Sequence, residues 1–220
     1  FVIEEKFGFN KTTPKTFTLD IIKGLALAII LGGPLLALIF WFFETMGELA
    51  WVYCWVGVVL FSVVMQFVAP VLIMPLFNKF TPLEPGELRD KITEYSETEK
   101  FKLSGIFTMD GSKRSTKLNA FFTGFGRFRK IVFFDTLVEK LSAEEIVAVL
   151  AHEMGHFKLK HIIKMMIISI LQTGFMFFLL SLFLKFPVIS SASKMDQTSI
   201  YANLVFFGFL YSPISLFTSI

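Results

Sequence analysis

His152-Glu153-Met154-Gly155-His156 holds two of the chain's three histidines, and its spacing has chemical meaning on a helix. At about 100° per residue, His152 and His156 project within roughly 40° of each other, one turn apart, so both imidazoles reach one metal ion. Glu153 lies about 100° from His152 and about 60° from His156, close enough to hydrogen-bond a water held by that metal. This is the pattern of a hydrolytic zinc site: Zn2+ brings a bound water to a pKa near ~7, and a carboxylate accepts the proton as general base. The reaction class implied is metal-assisted amide hydrolysis, with His152 and His156 as ligands and Glu153 as the base. The helix itself is written just upstream. Ser142-Ala143-Glu144-Glu145 is a capping box, and Ile146, Val147, Val149 and Leu150 supply the apolar face that follows. His161 stands nine residues beyond His152; on one continuous helix it lies about 180° round, which makes it a packing residue or a support for a ligand rather than a ligand itself.

The rest of the 220-residue chain is 54% hydrophobic with 29 Phe and a mean hydropathy of +0.66, too apolar for a soluble globular domain. The expectation is a multi-pass α-helical membrane protein, cut at both ends from a longer chain. Segments 21–43, 49–67, 162–183 and 200–220 are each long and apolar enough to cross a hydrocarbon core of about 20 residues. Gly32-Gly33-Pro34 predicts a kink in the first. The single cysteine, Cys54, excludes an intrachain disulfide, and the first apolar run is too long for a signal-peptide core. Gln66, Gln172 and Asn203 are costly in lipid and should face protein or a wet interior.

Three regions follow: 1–77 with two spans, a polar 78–160 domain, and 161–220 with two more spans. Residues 78–164 carry 15 Lys and Arg against 12 Asp and Glu, with six of each elsewhere, so the net charge of +3 belongs there. Lys11, Lys15 and Lys23 precede the first span, whereas Glu44 and Glu48 and no Lys or Arg lie in the link to the second. By the positive-inside rule the N-terminus and polar domain are cytoplasmic. Within that domain Pro85-Gly86-Glu87 opens a helix and 106–109 forms a strand; 118–123 and 130–134 pair as a hairpin through Gly124-Phe125-Gly126-Arg127, giving an α+β domain. Residues 111–134 hold six basic and no acidic side chains: Lys113, Arg114, Lys117, Arg127, Arg129 and Lys130. With Phe interleaved they suit anionic lipid headgroups or a solvated basic loop better than nucleic acid.

Several blocks together resemble the type I CAAX prenyl proteases, integral-membrane zinc metallopeptidases. They are Glu4-Glu5-Lys6-Phe7-Gly8-Phe9-Asn10, Phe77-Asn78-Lys79-Phe80-Thr81-Pro82-Leu83, Gly111-Ser112-Lys113-Arg114-Ser115, Asn119-Ala120-Phe121-Phe122-Thr123-Gly124, Ile131-Val132-Phe133-Phe134-Asp135-Thr136-Leu137 and the run from His152 to His161. The resemblance implies a seven-helix membrane barrel around a hydrated chamber, of which four spans are present. The α+β zincin-like domain lies on the cytoplasmic side between spans 2 and 3. The membrane is that of the endoplasmic reticulum in a eukaryote or the inner membrane in a bacterium. It also implies prenylated or membrane-associated substrates pairing with an edge strand at Asn119, Ala120 and Phe121. The family's third zinc ligand is a downstream Glu, and no Glu follows Glu153 here; Asp196 is expected on the opposite membrane face. That ligand is expected beyond Ile220, leaving the chain inactive without it. Alternatives are an HtpX-like membrane quality-control metalloprotease and an inactive membrane scaffold.

Overall fold

The computed structural model describes residues 2–124, 129–185 and 200–218. In chain order come α1 (Val2–Lys6), α2 (Pro14–Leu27), α3 (Gly33–Thr45), α4 (Ala50–Val68), α5 (Met74–Phe77), β1 (Phe80–Pro82) and α6 (Glu87–Thr98). There follow β2 (Gly105–Met109), β3 (Ala120–Thr123), β4 (Lys130–Phe134), α7 (Asp135–Lys140), α8 (Ala143–Lys158), α9 (His161–Lys185) and α10 (Ile200–Thr218). The chain divides into two compact units, one of Phe1–Leu25 with Met65–Ile162 and the other of Ala26–Val64 with Ile163–Ile220.

The first unit is the α+β domain, built on a four-stranded sheet in the order β1-β2-β4-β3. The hairpin expected of β3 and β4 is present, antiparallel with Thr123 opposite Lys130; residues 125–128 of its turn lie outside the described residues. The sheet also contains β1, antiparallel to β2, and a parallel pairing of β2 with β4. Strand β4 is therefore central, and Ile131, Val132 and Phe133 are all buried, as a strand covered on both faces requires. One core joins Ile92 of α6, Ile131 and Phe133 of β4, Leu137 of α7 and Ile146, Leu150 and Met154 of α8.

This unit is wider than the expected 78–160. Lys11 N–H donates to Arg114 O (3.0 Å) and Thr116 N–H to Phe9 O (3.1 Å), so the N-terminal segment runs beside the Gly111–Ser115 block. Arg114 itself binds Asp20 of α2, Asn78 and the Phe77 carbonyl. Gly111 belongs where Phe134 packs over the backbone: a Cβ there would lie 2.8 Å from Phe134 Cγ, near the root of that side chain. The adjacent Ser112 N–H donates to Asp135 Oδ1 (2.8 Å), which holds the loop against α7. Gly111→Ala should therefore cost about 1–3 kcal/mol by overpacking. Thermal unfolding in detergent checks this; an unchanged midpoint would show that Phe134 moves freely.

The second unit is helical. Cys54, Phe177 and Leu180 are its buried centre, surrounded by Trp51, Trp55 and Phe42. Trp55 Nε1 donates to the Ile170 carbonyl (2.9 Å), and Gly174 gives the indole room. Lys185 Nζ lies 3.1 Å from Glu48 Oε1, so the end of α9 and the link between α3 and α4 share one end of the unit.

Three described helices are long and apolar enough to cross a membrane: Pro14–Thr45, Gly47–Phe77 and His161–Lys185. Each of the first two contains a π-helical turn, Ala28–Gly32 just before Gly33-Pro34 and Ala69–Ile73 around Pro70. A proline has no N–H to return to the preceding turn, and the ladder rearranges locally. Where the sequence predicts a fourth span, α10 has 19 residues with Pro213 inside it and a shorter apolar stretch, Ala202–Leu216. Asp196 lies outside the described residues.

Candidate active site

Helix α8 carries the histidines and begins as its sequence dictates. Glu145 N–H donates to Ser142 Oγ (3.3 Å) and Ser142 N–H donates to Glu145 Oε2 (2.8 Å), completing the capping box. Ile146, Leu150 and Met154, spaced by four, are buried against the sheet, which turns His152 and His156 outward. Their Nε2 atoms stand 3.0 Å apart. Two nitrogens bound tetrahedrally to one zinc at ordinary bond lengths are about 3.3 Å apart, so this pair fits a single ion. Glu153 is half-buried on the same helix, and none of the ion pairs among the described residues engages it.

His161 sits elsewhere than a continuous helix would put it. Helix α8 ends at Lys158, the chain turns through Leu159 and Lys160, the latter at φ +55°, and α9 starts at His161 itself. The break replaces the expected 180° separation with contact: His161 Nδ1 lies 2.8 Å from His156 Nδ1. His152 and His161 thus flank opposite edges of the His156 ring, whose two nitrogen lone pairs diverge, so the three histidines do not converge on one ion. Among the described residues no group of three His, Cys, Asp or Glu could hold a metal. A metal on His156 Nε2 would leave the ring proton on Nδ1, which stands within hydrogen-bond distance of His161 Nδ1.

Beside α8 runs β3, an edge of the sheet. Phe134 N–H donates to Asn119 O (3.0 Å); alternation along the antiparallel ladder then turns the backbone of Asn119, Phe121 and Thr123 towards β4 and that of Ala120 and Phe122 towards the open edge. The sequence groups Asn119, Ala120 and Phe121 as the substrate-pairing residues. In this register the outward-facing backbone groups of β3 are those of Ala120 and Phe122, while the Phe121 ring packs edge-on to Phe134 (6.5 Å) on the opposite face. Asn119 remains at the edge: it is exposed, and its Oδ1 accepts from the Ala120 N–H (2.9 Å), occupying one edge donor. Phe122 leans edge-on against Phe157 of α8 (6.3 Å), which ties the edge strand to the histidine helix.

Helices α6 and α8 are also clamped by charge. The Lys91 ammonium binds Glu144 and Glu87, which pushes its pKa up to about 12, and Lys91 holds the Glu144 carboxyl below its ordinary value. A carboxyl with a lowered folded-state pKa contributes stability above its unfolded-state value and loses it as pH falls through the folded one. Acid titration of the melting temperature should accordingly show a decline below pH ~4.5 that Lys91→Met reduces.

The basic stretch is less free than its composition suggests. Arg114 and Lys117 are ion-paired with Asp20 and Glu4, and the Arg129 guanidinium lies between the rings of Phe101 and Phe157, 4.6 Å from each centroid. Arg127 lies outside the described residues.

Two family models match in series: residues 1–79 fit "CAAX prenyl protease N-terminal, five membrane helices" and residues 82–219 fit peptidase family M48. CAAX prenyl protease 1 of Saccharomyces cerevisiae is 45% identical over 210 residues, covering 94% of this chain and 42% of that protein. The CAAX prenyl protease 1 homolog of Homo sapiens is 31% identical, covering 97% of this chain and 53% of its own. The crystal structure of S. mikatae Ste24p matches with a TM-score of 0.89 and 39% identity over 98% of this chain and 54% of that one. The chain spans about half the length of the relatives it matches, and it shares with Ste24p membrane helices joined to an α+β domain. The histidine helix falls inside the peptidase match and the first two long apolar helices inside the N-terminal one; the chain belongs to the CAAX prenyl protease family of M48 metallopeptidases.

Proposed function

We propose that this chain is part of a membrane zinc endopeptidase that hydrolyses a peptide bond near the C-terminus of prenylated CAAX-type proteins. The observation that carries the reading is the 3.0 Å approach of His152 and His156 Nε2 on a capped helix beside an open strand edge. In it, His152 and His156 hold zinc, with His161 steadying His156 from the far side of its ring. Zinc, when bound, supplies Lewis acidity to a water and to the scissile carbonyl. Glu153 accepts the proton of the attacking water and passes it to the leaving amine nitrogen. The substrate adds as a strand along the Ala120 and Phe122 backbone, and the Asn119 amide, released from Ala120, donates to the peptide or to the developing oxyanion. Catalytic zinc ordinarily has three protein ligands; the third implied by the family resemblance, a glutamate, comes from outside the described residues. The domain faces the cytoplasm, in the endoplasmic reticulum membrane of a eukaryote or the inner membrane of a bacterium.

A cleavage assay on the zinc-loaded full-length protein of which this chain is part, purified in detergent, with a farnesylated CAAX peptide and its unlipidated counterpart, tests the proposal. Cleavage confined to the farnesylated peptide is expected. Equal cleavage of both would favour a quality-control protease, and none of either an inactive scaffold. His161→Ala should weaken zinc binding about 10- to 100-fold by removing the acceptor that orients His156. Zinc titration against a competing chelator reads this, and unchanged affinity would remove His161 from the site.

A further inference from the structure

On the sheet face turned away from α6 and α8 lies a cavity of about 780 Å3 whose lining includes none of His152, Glu153 and His156. Ile131 and Phe133 of β4 point into the core with the histidine helix; Val132 between them points the other way, and with its β2 partner Phe107 it forms the cavity's sheet wall. The opposite wall is Phe67, Pro70 and Val71, near the end of the apolar helix Gly47–Phe77. The polar groups are as distinctive as the walls. Gln66, a residue costly in lipid, faces this space. Asn78 accepts from Arg114 Nη1 through Oδ1 (2.6 Å), leaving its amide hydrogens for another acceptor. Lys79 and Lys130 line the cavity, are exposed, and take part in no ion pair among the described residues. Asp110, the nearby carboxylate, accepts from the Lys79 backbone N–H (2.7 Å), and the Lys130 ammonium stands 5.1 Å from the Phe107 ring centroid.

We infer that this cavity binds one phospholipid with an anionic headgroup. Its apolar walls, its two lysines outside the ion pairs of the described residues and its place where a membrane-length helix meets the sheet match an acyl chain joined to a phosphate. A neutral lipid leaves both charges unanswered, and a free phosphate leaves the apolar walls wet. Of the six basic residues between 111 and 134, Arg114 and Lys117 answer to carboxylates and Arg129 lies between two rings; among the described residues it is Lys130, with Lys79, that lines this cavity. The inference does not depend on the histidines of α8 or on the outward-facing Ala120 and Phe122 backbone; the cavity meets β3 only at its end, at Thr123.

Native mass spectrometry of the delipidated protein in neutral detergent tests it, with phosphatidylglycerol, phosphatidylcholine and inorganic phosphate as separate probes. One phosphatidylglycerol should bind in preference to phosphatidylcholine, without competition from millimolar phosphate. Lys79→Gln with Lys130→Gln should weaken phosphatidylglycerol binding by roughly 10- to 30-fold and abolish the preference; Lys79→Arg with Lys130→Arg and the control Lys113→Gln should keep it. The glutamine pair should melt where the parent does. Retention of the preference by the glutamine pair, its loss in the arginine pair, equal binding of the two lipids, or displacement by phosphate would each overturn the inference.

Discussion

Glu153→Gln should lower kcat for a farnesylated CAAX peptide by about 10²- to 10⁴-fold, the usual range for losing a general base, while the protein still loads zinc. The substitution is nearly isosteric. Gln keeps a carbonyl oxygen that can accept a hydrogen bond from water but cannot take its proton. Glu153 is well placed to act as that base, because it follows His152 on a helix fixed by its capping box and by Ile146, Leu150 and Met154 in the core. Among the described residues its carboxylate is not diverted into an ion pair. Because the proposed zinc ligands on this chain are the two histidines, metal content per chain should not change. KM should stay within a few-fold, since the residues assigned to substrate pairing lie on β3 and not on α8. Unchanged turnover would remove Glu153 from the mechanism; loss of zinc together with activity would make it a ligand or a support for one.

The parts of this site that sequence discloses are those fixed by contacts only a few residues apart. The capping box Ser142-Glu145, the four-residue histidine spacing and the β3–β4 hairpin are local, and each appears in the structure at its expected position. Two features are not local. The parallel pairing of β2 with β4 joins residues 25 apart, Gly105 with Lys130 among them, and β1 is only three residues ending in a proline. Neither leaves a periodic signature. The break between α8 and α9 is harder still, because Lys158-Leu159-Lys160-His161 contains no Gly, Pro or Asn to announce a left-handed residue. That unannounced turn moves His161 from the far side of a helix onto His156. The choice of Phe122 over Phe121 as an edge residue likewise depends on which member of each pair faces β4, a matter of hydrogen-bond phase that composition does not encode.

Arg114→Ala should produce the largest loss of stability among surface-accessible positions, about 2–3 kcal/mol. That is the 3–5 kcal/mol typical of breaking a buried pair, reduced because each partner keeps a quarter of its side chain in solvent. The guanidinium forks onto Asp20, with Nε to Oδ2 at 2.8 Å and Nη2 to Oδ1 at 2.9 Å. It also donates to Asn78 Oδ1 at 2.6 Å and to the Phe77 carbonyl at 2.8 Å. One side chain therefore ties α2, the end of the second long apolar helix and the Gly111–Ser115 block into a single unit. Lysine keeps the charge but not the planar fork, so Arg114→Lys should recover less than half of the loss. The cost lies mainly in the partner left behind, an Asp20 carboxylate that loses its fork and keeps only Lys23 and Lys113 at longer range. Adding Asp20→Leu to Arg114→Met should then restore most of the melting temperature lost in Arg114→Met alone. Additive losses in that double variant would mean that Arg114 acts through Phe77 and Asn78 and that its bond to Asp20 is incidental.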